Sequence, residues 1–324
     1  MLPFEDDFSP ALQNPGAADT EDAQLKTVYE HIRCLDPDGR RFASVLRDTI
    51  DQLLNGEETG RYDWKTLYKT EKTHAGTLVE INLQRKFKFA DGINMDYRIA
   101  GIDVDCKYSQ QFGSWMIPPE ALNHLCLLVW ADDCKSRWSA GLVRIRSERL
   151  NGGSNRDHKL TIKAEHRNKI AWLWKDAPLP ENVLLHLDPA TREAILAPNS
   201  GQKRVNELFE RVQMRQIGRG VVRTVAQQHD YMARVREAKG RARTVLRERG
   251  ILIPGHYTKH QDVARALGAP VPQVPGELVS FRVAEARPHH DDKPRVELDG
   301  RIWVLATASD PEETAPFLPK HTAE

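Results

Sequence analysis

The sequence runs to 324 residues, 40% hydrophobic and 29% charged, a length that favours two globular domains with real cores over one. Its formal net charge of +1 decides nothing about nucleic acid, so the distribution of charge along the chain has to be followed instead. Four cysteines (Cys34, Cys106, Cys126, Cys134) without a CxxC pair exclude a disulfide framework and a structural zinc centre, and fit the reducing cytoplasm.

Residues 1–30 hold seven acidic side chains against one lysine and no apolar stretch, unlike a secretory leader. Residues 1–22, rich in Pro, Ala, Asp and Gly without periodicity, read as a poorly ordered tail. Over 39–54, Phe42, Val45, Leu46, Ile50 and Leu53 recur at helical spacing, with Asn55-Gly56 as the stop. A second helix is expected over 73–86, carrying Glu80, followed by a turn at Asp91-Gly92. Strands are expected at 95–100, 102–108, 124–131 and 138–146, with a short helix after Pro118-Pro119, which gives a mixed α/β domain. The longest apolar run, 125–131, is too short to span a bilayer and suits a buried strand, so no membrane partner is expected.

Residues 175–182, with Pro178 and Pro180, interrupt the apolar pattern and are assigned as a linker between a first domain at 23–174 and a second at 183–324. Beyond it, Val205, Leu208, Phe209 and Val212 form a helical stripe, and Val221, Val222 and Val225 begin another helix after a short turn. Strand patterns at 278–284 and 296–306, the latter with Asp299-Gly300 as a hairpin turn, complete an α+β second domain. His289, His290, Asp291 and Asp292 lack the spacing of a recognised metal site and read as a solvated loop.

Residues 95–107 read MDYRIAGIDVDCK, and alternation separates Ile102, Val104 and Cys106 from Asp103, Asp105 and Lys107. A two-residue turn at Ala100-Gly101 pairs Ile99 with Ile102, Arg98 with Asp103, Tyr97 with Val104 and Asp96 with Asp105. Opposed cross-strand carboxylates destabilise a sheet unless something neutralises them. A divalent cation does so, and magnesium prefers one or two carboxylates, waters and phosphate oxygens, which fits phosphodiester hydrolysis with Lys107 steadying negative charge. On the hairpin alone, an exposed acidic turn with a surface lysine remains the competing reading.

Residues 69–83 (KTEKTHAGTLVEINL), Asp96, Asp105-Cys106-Lys107, 205–209 (VNELF) and 224–228 (TVAQQ) together resemble the NaeI family of type IIE restriction endonucleases, collinearly over most of the chain. The resemblance implies a PD-(D/E)XK nuclease core, a mixed sheet flanked by helices, in which Glu80, Asp96 and Asp105 hold Mg2+ and Lys107 completes the catalytic set. Thr70 falls within the matching segment. Met95, not proline, precedes Asp96, and Asp96 and Asp105 are closely spaced, both of which a loosely defined superfamily pattern accommodates. The resemblance also implies a winged-helix or helix-turn-helix-like second domain that binds a second DNA copy as activator, and the palindrome GCCGGC as target.

Composition supports a second DNA site independently. Residues 201–250 carry thirteen Lys or Arg against five Asp or Glu, a local net of +8. Arg215, Arg219, Arg223 and Gln227, in or just before the helix near Gly220, are the expected DNA contacts. A homodimer is expected, because two symmetry-related active sites cut both strands of a palindrome most simply. The alternatives are a repair or junction nuclease on the same core, and a DNA-binding regulator without catalysis.

Overall fold

The computed structural model describes residues 22–152 and 158–320. Helices α1 (Ala23–Leu35), α2 (Arg40–Leu54), α3 (Gly56–Thr59) and α4 (Lys69–Phe87) come first, then strands β1 (Ala90–Asp91), β2 (Tyr97–Ile99), β3 (Ile102–Ser109), β4 (Leu125–Asp132), β5 (Arg137–Arg144) and β6 (Ala171–Pro178). Next come α5 (Pro189–Leu196), α6 (Gly201–Arg211), β7 (Gln216–Ile217), α7 (Arg219–Ala226), α8 (Met232–Val235), α9 (Ala242–Arg247), β8 (Ile251–Leu252) and α10 (Thr258–Ala266). Strands β9 (Leu278–Val279), β10 (Phe281–Glu285), β11 (Arg295–Leu298) and β12 (Arg301–Leu305) close the chain. It divides into two compact units, one ending at Leu53 and resuming over Leu67–Pro180, the other formed by Leu54–Thr66 and everything from Glu181 onward. Among the described residues no helix is long and apolar enough to cross a membrane.

The first unit is a six-stranded sheet in the order β1 to β6, parallel only between β3 and β4. The apolar run expected as a buried strand is β4, which is buried from Leu125 to Ala131. On one side Phe42 of α2 packs on Trp138, Trp174 and Phe87, with ring centroids 5.2 to 5.5 Å apart. Another cluster gathers Trp115, Ile117, Leu128, Trp130 and Val143. Helix α4 buries Ala75, Val79, Leu83 and Phe87, one residue per turn, and starts earlier than periodicity suggests because the Glu71 carboxylate accepts from the Tyr68 amide at 2.7 Å.

Two expectations change and one holds. The tail assigned to 1–22 lies outside the described residues except at Asp22, which caps α1 by accepting from Leu25 N at 3.0 Å and pairs with Arg144 at 2.6 Å. The linker expected at 175–182 is occupied through Pro178 by β6; Pro178 sits at the end of the outermost strand, where a missing N–H interrupts no ladder. The hairpin expected beyond 295 forms as drawn, with Leu298 paired to Arg301.

In the second unit, α5 to α9 enclose Val205, Leu208, Phe209, Val222 and Val225. A four-stranded sheet, β11-β12-β10-β8, builds another core with Val263, Ala264 and Leu267 of α10, and β7 pairs with β9. The segment 54–66 belongs here: a Cβ on Gly56 would fall 1.9 Å from Thr224 Oγ1 of α7, so only glycine permits that approach. The connection between α6 and α7 runs over 212–218 and contains β7, longer than the short turn expected and than the ~3–4 residues of a helix-turn-helix.

Arg47 of α2 is buried in the first unit, ion-paired to Asp51 at 2.7 Å and bonded through both terminal nitrogens to the buried Asp133. Removing Asp133 leaves that guanidinium without its main counter-charge. Asp133→Ala should therefore cost ~3–5 kcal/mol in chemical denaturation of the first unit. A loss below ~1 kcal/mol would show that the pair is solvated and of no structural weight.

Candidate active site

The hairpin that carries the site forms in the register expected from the sequence, with Ile99 opposite Ile102, Arg98 opposite Asp103 and Tyr97 opposite Val104. Ala100 and Gly101 turn the chain with φ of 49° and 82°, the left-handed pair of a type I′ turn. Asp103 also accepts from the Ile93 and Asn94 amides at 3.1 and 2.9 Å, which fastens the loop before Asp96, and Arg98 opposite it donates to Gly101 O.

Asp96 lies one residue before β2, and its Oδ2 accepts from the Cys106 amide at 2.7 Å. The carboxylate thus satisfies the β3 backbone where the ladder with β2 has stopped. Asp105 and Lys107 follow on one face of β3, and Lys107 Nζ lies 2.6 Å from Asp105 Oδ1, 3.4 Å from Asp96 Oδ2 and 2.9 Å from Cys106 O. Because β4 runs parallel to β3, Cys126 sits beside Asp105, and its thiol donates to Asp105 Oδ2 at 3.4 Å. Sequence patterning marks Cys126 only as a core residue; its contact with Asp105 depends on that long-range pairing.

Glu80 comes from α4, which the Tyr97 hydroxyl ties to the hairpin by donating to the Glu80 carbonyl at 2.8 Å. Burial raises the Glu80 pKa, and the charges of Asp96 and Asp105 raise it further. Burial pushes Asp105, only 4% exposed, up to about 6, against the opposing effect of Lys107. Burial works against the charge on Lys107 too, but Asp105 and then Asp96 outweigh it and hold the ammonium above its ordinary pKa. Thr70 is exposed in the first turn of α4.

The four residues therefore form one cluster of three carboxylates and one ammonium, two positive charges short of balance. A donor set made only of carboxylate oxygens suits a hard divalent cation, and magnesium fits it, with Asp96, Asp105 and Glu80 as the residues able to hold it. The mutual repulsion that raises Glu80 is what such an ion would relieve.

A second group could in principle take a metal, since ligand atoms of His289, His290 and Asp310 lie within 4.8 Å of one another. It is organised otherwise. His290 is buried, not part of a solvated loop, and its Nδ1 accepts from Arg287 N at 3.2 Å, which leaves the proton on Nε2, facing Asp310 at 3.2 Å. A metal-bound imidazole donates from its second nitrogen instead. Asp310 also accepts from the Thr307 amide and hydroxyl at 2.8 and 2.7 Å, so the group is a closed hydrogen-bond network.

The residues expected to contact DNA in the second unit lie on α7 or close before it. Arg215 precedes β7 and pairs with Glu181 at 2.6 Å. Arg219 and Arg223 lie one turn apart on α7; Arg223 Nε is 3.7 Å from Glu57 and its guanidinium 5.7 Å from the Tyr231 ring. Gln227 is exposed at the left-handed C-cap of α7.

Comparison with known proteins places these features in context. The family model described as restriction endonuclease NaeI matches residues 26–314. The chain is 48% identical over 310 residues to the type II restriction enzyme NaeI of Lentzea aerocolonigenes, covering 94% of this chain and 96% of that protein.

The electrostatics of the cluster make one measurable demand. Asp105 keeps its proton below about 6 and must lose it to hold a cation, so Mg2+ affinity should climb with pH and level off above that value. On the acid side a one-proton exchange changes affinity about tenfold per pH unit. Titration calorimetry with Mg2+ across this range tests it, and an affinity independent of pH would contradict the raised carboxyl pKa.

Proposed function

Because the chain belongs to the restriction endonuclease NaeI family, which makes it a type II site-specific deoxyribonuclease, we propose that it makes Mg2+-dependent double-strand cuts at a short palindrome, GCCGGC. The observation that carries the mechanism is the meeting of Glu80, Asp96, Asp105 and Lys107 in one unit, with α4, the loop leading into β2 and strand β3 contributing to a single charged cluster.

In this reading Asp96, Asp105 and Glu80 hold the ion. A bound Mg2+ supplies a water of lowered pKa and neutralises charge developing on the phosphate. Lys107 is held protonated by its two carboxylates, so it acts as a donor and not as a base. Its three acceptors hold Nζ against the carboxylate pair, where it can donate to a phosphate oxygen. Cys126 and the Cys106 amide fix the rotation of Asp105 and Asp96 before substrate arrives.

The second unit is proposed as a winged-helix-like module for a second, activating DNA copy, with Arg215, Arg219, Arg223 and Gln227 among its contacts. The net of +8 over 201–250 supports this. The Arg215–Glu181 and Arg223–Glu57 pairs do not oppose it, because half-exposed ion pairs contribute ~1 kcal/mol or less and yield readily to phosphate. Cutting both strands of a palindrome implies a homodimer.

Asp105→Ala and Lys107→Ala should each lower plasmid cleavage by at least about a thousandfold while mobility-shift affinity for the duplex stays within a few-fold. Near-normal cleavage by either variant would overturn the assignment. Separately, cleavage of a plasmid with a single target should rise roughly 5- to 150-fold when a second cognate duplex is added. No stimulation would remove the activator role and leave the nuclease intact.

A further inference from the structure

The second unit contains a cavity of about 310 Å³ between α9, β8, the start of α10 and the C-terminal segment 316–320. Its walls differ in character. Ile251, Ile253 and Leu318 make an apolar side, whereas Arg243, Arg247 and Lys320 bring three positive charges against the single carboxylate of Glu237.

Both guanidiniums of the cavity are incompletely satisfied. Arg243 donates from Nε to the Ile253 carbonyl at 2.9 Å, and its Nη2 is buried with no hydrogen-bond partner. Arg247, one helical turn on, donates from Nη1 to the Ala315 carbonyl at 3.0 Å and stacks 3.9 Å over Phe317, and its Nε is likewise buried without a partner. Among the described residues neither has an ion pair, in contrast to Arg211, Arg215 and Arg249 of the same unit, each facing a glutamate. A buried donor atom left without a partner is costly, and an anion from solution that accepts from it relieves that cost. Burial correspondingly holds Arg243 below its ordinary pKa, with only Tyr257 and Glu237 opposing.

We infer that this cavity binds an organic phosphate of mononucleotide size, its phosphate on Arg243 and Arg247 and its ring on the Ile253–Leu318 wall. Guanidinium favours phosphate because its planar fork matches the oxygens. The volume lies at the lower end of ligand cavities, ~300–1,000 Å³, so a bare phosphate would underfill it and a duplex could not enter. The apolar wall and the Tyr257 ring suit a flat heterocycle. Either a free mononucleotide or an unpaired terminal nucleotide of DNA has this chemistry.

Titration calorimetry of the full-length protein with 2′-deoxyadenosine 5′-monophosphate tests the site. Saturable binding is expected, weakened at least about tenfold by Arg243→Met, and about as much when the phosphate is omitted from the probe. Leu318→Trp, which fills the apolar side and leaves both guanidiniums in place, should abolish binding in protein that still shows a cooperative melting transition, and it stands in if the arginine variant fails to fold. A saturating duplex with single-stranded ends separates the sources: displacement of the probe assigns the cavity to a DNA terminus, and unchanged binding assigns it to a free nucleotide. No saturable heat at millimolar probe, or equal binding by wild type and both variants, would overturn the inference.

Discussion

One ammonium between two carboxylates is the interaction on which the hairpin depends. Asp96 and Asp105 meet where β2 gives way to its loop, and like charges so opposed weaken a sheet. Lys107, 2.6 Å from one and 3.4 Å from the other, offsets that repulsion and leaves the cluster short of positive charge once Glu80 is counted. The imbalance is modest enough for the fold to tolerate and large enough to attract a divalent cation. Such a cation would neutralise what the lysine alone cannot.

The rest of the first unit holds that cluster still. Helix α4 is pinned by its buried stripe and by the Tyr97 hydroxyl, so Glu80 arrives from an element that cannot slide. Strand β3 is paired on both sides, and the parallel pairing to β4 presents the Cys126 thiol to Asp105. The aromatic packing of Phe42, Trp138 and Trp174 and the buried Arg47–Asp133 pair fix α2 against the same sheet. A charged site built on strands and a helix keeps its geometry better than one carried on loops.

How far this could be read in advance depended on the range of each interaction. The hairpin was legible because a two-residue turn and strict alternation determine a register, and Ala100-Gly101 adopts the backbone such a turn demands. The buried strand β4 was legible from its uninterrupted apolar run. Glu80 was reached only through the resemblance of its segment, because its approach to Asp96 is a tertiary contact with no local signature. Cys126 was legible only as a core residue, with nothing local to place its thiol on Asp105. Proline at 178 suggested a break where an edge strand simply ends, and the segment 54–66 gave no sign that it packs with α7. In the basic region, charge density was visible but partners were not: Arg215 and Arg223 face Glu181 and Glu57 from outside the segment counted.

The cluster around Lys107 is proposed as a cation-dependent centre for cutting duplex DNA at a defined sequence. The most direct measurement is end mapping: a plasmid of known sequence digested with Mg2+, in parallel with a chelator, and the termini sequenced on both strands. The account requires double-strand breaks at one short palindrome, placed symmetrically on the two strands, and no breaks when the metal is chelated. Ends scattered without a common sequence, ends that follow DNA structure such as junctions, or cleavage undiminished by chelation would contradict it.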